Sequence, residues 1–158
     1  DVFISYSRKD FVEVYLFLAS LYNQGYRFWY DNGMLGTDKR LNEYRNKFEN
    51  PNCLGTITFF SENYVSNSIK DEISIIYEDG KYKKTNAMIS LIPLSNIDAN
   101  EMLINSISKR NITIENAYHF KETLTKIIEN EKAKTIHRYE DFGSISYLTD
   151  IIAKIFNL

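Results

Sequence analysis

A carboxylate on the apolar side of a helix is a candidate for chemistry, and Glu72 is such a residue. In "SNSIKDEIS", residues 66 to 74, polar cap residues lead into isoleucines at helical spacing. At about 3.6 residues per turn, Ile69, Ile73 and Ile76 share one face. Lys70, Asp71, Ser74 and Glu78 lie away from it, whereas Glu72 falls between Ile75 and Ile76. The bland account is a boundary glutamate whose stem packs on a sheet while its head reaches water. In the functional account, partial burial works against the charge while polar neighbours keep it ionised. A carboxylate held that way suits sugar-bond chemistry, because it can stabilise an oxocarbenium-like centre or position the sugar hydroxyls.

Two further stretches carry polar groups at the ends of apolar runs. In "SYSRKD", residues 5 to 10, Arg8, Lys9 and the N–H groups of the following helix start could hold a phosphate. The competing account is an ordinary strand-to-helix loop with a Ser or Asp cap. In "FWYDNGMLG", residues 28 to 36, Asp31 ends an aromatic run and either shapes a turn or bonds a substrate hydroxyl. Phe28 and Tyr30 belong to one sheet face and Trp29 to the other, which needs no ligand. The glycine-rich dinucleotide loop, the phosphate-loop lysine and the nucleophile elbow are absent from the sequence. A receiver domain would want paired acids after strand one and an Asp after strand three, where this chain has Ser5, Tyr6 and Ser61. His119 and His137 show no metal-ligand spacing, so no metal site is expected.

The elements that must position these residues follow from the alternation of apolar runs with amphipathic stretches. Strands are predicted over 2 to 6, 27 to 30, 54 to 60 and 87 to 94. Helices are predicted over 10 to 24 with Asp10 as N-cap, over 38 to 50 before Pro51, and near 64 to 78. "NITI", residues 111 to 114, reads as a fifth strand, and 117 to 130 and 144 to 156 as helices joined by a polar segment around 131 to 143. Strands apolar on both faces and separated by helices imply a parallel sheet covered on both sides. In such sheets ligands bind beyond the carboxyl ends of the strands, so the loops 6 to 10, 31 to 37 and 61 to 66 matter most.

Composition narrows the function classes. A chain of 158 residues, 44% hydrophobic and 15% aromatic, can bury one core and is expected to form a single domain over 1 to 158. Its net charge of -2 argues against a non-specific nucleic-acid or membrane-surface binder. Lys81, Lys83 and Lys84 read as a solvated loop. A lone cysteine, Cys53, excludes an internal disulfide framework and fits a reducing, cytoplasmic compartment. The longest apolar stretch, 14 to 22, is too short to span a bilayer. The start at Asp1 without methionine reads as a domain excised from a longer protein, and the abundance of Ile, Asn and Lys hints at an AT-rich bacterial genome.

Together these segments resemble the Toll/interleukin-1 receptor (TIR) domain family, particularly its bacterial NAD+-cleaving members. "DVFISYSRKD" resembles the family's first box, "GYRFWYDNGMLG" its second, and "FFSENYVSNSIKDEIS" the strand end and helix that carry its catalytic glutamate. The likeness covers residues 1 to 94, and beyond 95 it extends only to a strand and helices. It implies a flavodoxin-like three-layer sandwich, an α/β fold with a five-stranded parallel sheet and helices on both faces. It also lands the catalytic glutamate on Glu72, with Ser66 at the start of the Ser-to-Glu pattern. Where family hydrolases often carry tryptophan and cysteine, this chain has Ser68 and Ile69, and its second-box loop has no proline, with Asp38 near the expected aromatic.

The resemblance implies an NAD+ glycohydrolase that releases nicotinamide with ADP-ribose or a cyclic isomer, in bacterial immune signalling. Glu72 would be the catalytic residue; Tyr6, Ser7, Arg8, Asp31, Gly33, Leu35, Ser66 and Ser68 would bind substrate, Arg8 at the diphosphate. NAD+ enters as substrate, and no cofactor is expected. Other TIR domains, by self-association, and a fused or separate sensor domain are the implied partners, with no nucleic acid and no membrane in this segment. The alternatives are a non-enzymatic scaffold acting through TIR–TIR contact and a domain that senses NAD+ without cleaving it.

Overall fold

In the computed structural model, residues 1–31, 37–65, 72–78, 84–91, 99–109, 112–129, 133–138 and 145–157 are described. "VFIS" forms β1 (Val2–Ser5), buried throughout, as expected for a strand between two neighbours. A 3-10 turn over Arg8–Asp10 leads into α1 (Phe11–Asn23), which ends where Gly25 takes a φ of 88° that side chains disfavour. Then come β2 (Phe28–Tyr30), α2 (Thr37–Glu49) and β3 (Gly55–Phe60). Glu72 and Ile73 are helical and run into a π-helical turn over Ser74–Glu78, followed by β4 (Thr85–Ser90). The chain closes with α3 (Ala99–Ser108), α4 (Ile114–Glu129), β5 (Ala133–Arg138) and α5 (Ile145–Phe156).

The strands form one sheet in the order β2-β1-β3-β4-β5, with every neighbouring pair parallel. Alternation along β1 divides the interior in two. Val2, Ile4 and Tyr6 face α1 and α5, packing with Val14, Phe17, Leu21, Ile57, Phe59, Ile152 and Phe156. Phe3 faces the opposite layer with Tyr44, Phe48, Cys53, Ile75 and Ile76, where Trp29 stacks on it at 5.1 Å. Phe28 and Tyr30 sit against the first cluster and Trp29 against the second, as the aromatic alternation in the sequence requires.

Several expectations are corrected. The described part of "NITI", residues 112 to 114, forms no strand: Thr113 caps α4, its Oγ1 accepting from the Asn116 N–H at 3.3 Å, and Ile114 begins the helix. The strand of this region is β5, inside the segment read as a polar connection, and α3 lies where no element was expected. Tyr64 belongs to a turn, not to a helix, and among the described residues of this stretch helical structure begins at Glu72. Lys84 is no solvated-loop residue: its ammonium donates to Phe48 O and to Asn50 O at 3.0 Å, capping the carbonyl end of α2. No helix among the described residues is long and apolar enough to cross a membrane.

Candidate functional site

The carboxyl ends of β1, β2 and β3 bring together most of the described polar residues singled out above. Ser5 is the last residue of β1, and the strand's alternation turns it to the Phe3 side, toward the Glu72 helix. Its Oγ donates to Glu72 Oε1 at 2.6 Å and lies 2.6 Å from Tyr64 Oη. Glu72 is only 2% exposed, so its carboxylate is far more buried than a boundary position requires. The isoleucines beside it, Ile73, Ile75 and Ile76, anchor the helix in the core and thereby fix where the carboxylate must go. A buried charge survives where hydrogen bonds replace its hydration, and the Ser5 hydroxyl supplies one.

A second carboxylate, Asp31, sits 6% exposed at the end of β2. Its Oδ2 accepts from Arg8 Nη2 at 3.0 Å and from Tyr44 Oη at 3.1 Å, while its carbonyl accepts from Tyr6 Oη at 2.9 Å. Asp31 therefore ties together the loop after β1, the start of the loop after β2 and the helix α2. The bond to Asp31 pushes the Arg8 guanidinium further up and keeps it charged. Arg8 remains half exposed and has five N–H donors, so pairing with Asp31 leaves it able to meet an anion.

Tyr6 joins the two carboxylates electrostatically. Burial pushes its phenol up to about 12, with the Asp31 charge, Tyr30 and the Glu72 charge acting in the same direction and Arg8 opposing. The unfolded phenol ionises near 10.0, so its contribution is intact below that pH. As pH rises from 10.0 toward about 12 the unfolded chain loses this proton first, and stability falls. Urea midpoints across that window should fall more steeply for the wild type than for Tyr6→Phe; parallel slopes would place the titration elsewhere.

Asp10 is buried as well but does not cap α1 through its side chain. Its carboxylate instead accepts from Ser61 Oγ and from Asn63 Nδ2, the latter at 2.6 Å, joining the ends of β1 and β3. Ser7 provides the local cap, its Oγ accepting the Lys9 N–H at 3.4 Å. Gly33, Leu35, Ser66 and Ser68 lie outside the described residues. Sequence reasoning did not single out the partners Ser5, Tyr44 and Tyr64, whose signal is only a polar or phenolic group beside an apolar run. A cleft of about 570 Å³ lies between α1 and β2, lined by Tyr15, Leu18, Tyr22, Tyr26 and Tyr30; its lining does not include Glu72.

A family model described as "TIR domain" matches residues 2–128, a span that takes in β1 to β4 and every site residue named here. No curated protein matches the chain.

Proposed function

This chain belongs to the TIR domain family, and on that footing we propose that it cleaves NAD+ between nicotinamide and ribose, with Glu72 at the reacting sugar. The observation that carries this reading is the buried Glu72 carboxylate at the carboxyl edge of a parallel sheet, held by Ser5 at 2.6 Å. As the glycosidic bond lengthens, its electron pair leaves with nicotinamide, which departs as a neutral ring and needs no general acid. Positive charge moves onto the ribose, where a fixed carboxylate in a poorly hydrated setting stabilises it. Water adding at the freed carbon and releasing a proton gives ADP-ribose; a nucleophile within the same nucleotide gives a cyclic isomer. Arg8 is assigned to the diphosphate, and Tyr6 and Ser7 to substrate contacts at the same sheet edge. Asp31 acts by holding Arg8, and Gly33, Leu35, Ser66 and Ser68 are proposed as further substrate contacts.

The 2% exposure of Glu72 bears on regulation. In a single copy the carboxylate is nearly closed off, so productive binding requires a rearrangement. Self-association is the proposed trigger, with the 31 to 37 loop of a neighbouring copy completing the site. A sensor domain, fused or separate, in a cytoplasmic bacterial immune pathway would bring the copies together. Incubating the domain with NAD+, dilute and then tethered at high local density, and separating the products by chromatography tests this. The reading expects nicotinamide with ADP-ribose or a cyclic isomer, at a specific rate that rises on tethering. Intact NAD+ under both conditions would leave a scaffold that works through TIR–TIR contact.

A further inference from the structure

We propose that Tyr64 is a positioning residue that holds the Glu72 carboxylate in place and ionised, acting through Ser5. The proton count of the two hydroxyls sets the direction of their hydrogen bonds. A serine hydroxyl has one proton, and Ser5 gives it to Glu72 Oε1 at 2.6 Å. The 2.6 Å approach between Ser5 Oγ and Tyr64 Oη must then use the proton of the tyrosine. The result is a directed chain, Tyr64 to Ser5 to Glu72, in which each donor polarises the next and the negative charge lies at the end. A proton on Glu72 would leave Oε1 a neutral and weaker acceptor, so a chain that donates toward it favours the carboxylate.

The surroundings make the chain rigid. Tyr64 is 0% exposed and Ser5 1%, so water does not compete for either hydroxyl from outside. The Tyr64 ring is fixed against Phe60 with centroids 5.4 Å apart, and Ser5 is fixed by the β1–β3 ladder opposite Thr58. The three residues thus come from the end of β1, the turn after β3 and the helical stretch that holds Glu72. Among the described residues, the other ionisable groups at this edge include Tyr6, whose phenol feels the Glu72 charge, the Arg8–Asp31 pair with Tyr44, and Asp10.

The kinetic consequence rests on Glu72 being the reacting carboxylate; the chain itself does not. Its test therefore reads the carboxyl group directly. Glutamate labelled with carbon-13 at the side-chain carboxyl is incorporated, and the Glu72 signal is assigned by its loss in Glu72→Gln. Tyr64→Phe keeps the ring and removes only the hydroxyl. It should move the Glu72 titration to higher pH, and Ser5→Ala should do the same. Adding Tyr64→Phe to Ser5→Ala should change nothing more, because the intermediary is already gone. If NAD+ is cleaved, Tyr64→Phe should lower kcat by about fivefold, the value of one neutral hydrogen bond, with KM little changed. A Glu72 titration unmoved by Tyr64→Phe, or moved equally with and without Ser5, overturns the proposal. Intact NAD+ together with the expected titration cycle refutes the enzyme reading alone and leaves the chain standing. Cleavage of NAD+ with a flat cycle does the reverse.

Discussion

Glu72→Gln is expected to leave a folded domain in which NAD+ cleavage falls by about 10²–10³ or more, the usual cost of removing one preorganised electrostatic partner. The substitution changes charge at nearly constant shape. The amide oxygen can still accept the Ser5 proton now bonded at 2.6 Å, so the hydroxyl chain is not orphaned. A buried charge disappears and an amide N–H₂ group takes its place. The two changes oppose each other, and stability should move by no more than about 1–2 kcal/mol. Glu72→Ala is the poorer test, because it also opens a cavity and strips Ser5 of an acceptor. Thermal melts of both proteins, run beside the NAD+ assay, separate lost chemistry from lost fold.

Gly55→Ala should be the most damaging small change to the fold. Gly55 begins β3 and pairs with Thr85 on β4. A Cβ at this position would lie 1.5 Å from Thr85 O and 2.6 Å from its carbonyl carbon, with Phe156 Cε1 at 3.0 Å. Backbone cannot yield as a flexible side-chain tip does, so β3 and β4 must separate at the centre of the sheet. A loss of about 4 kcal/mol or more is expected, which lowers Tm by roughly 10 °C or prevents folding. A melt by circular dichroism within about 2 °C of the wild type would show that the ladder can absorb the methyl group.

How far the sequence reaches depends on the range of the interaction. β1 to β3, α1 and α2 are legible because apolar periodicity and turn residues act over a few positions. The inward set of Glu72 is legible for the same reason: it falls among isoleucines that must be buried. Its partner is not, since Ser5 lies 67 residues away and nothing local marks it. Asp10 shows the same limit. Its type and place suit an N-cap, yet its carboxylate bonds Ser61 and Asn63, 51 and 53 residues away. Beyond residue 95, local propensity misleads outright. "NITI" has strand-forming residues, but Thr113 serves α4 as a cap, while β5, an edge strand with Lys134, Thr135, His137 and Arg138, lacks the apolar run of a buried strand.

The most direct test of the account is the rate of nicotinamide release from NAD+ by the tethered wild-type domain, with folded Glu72→Gln at the same density beside it. The account expects steady release by the wild type and a rate lower by at least about 10² in the variant. Equal rates, or intact NAD+ with both proteins folded and assembled, would contradict it.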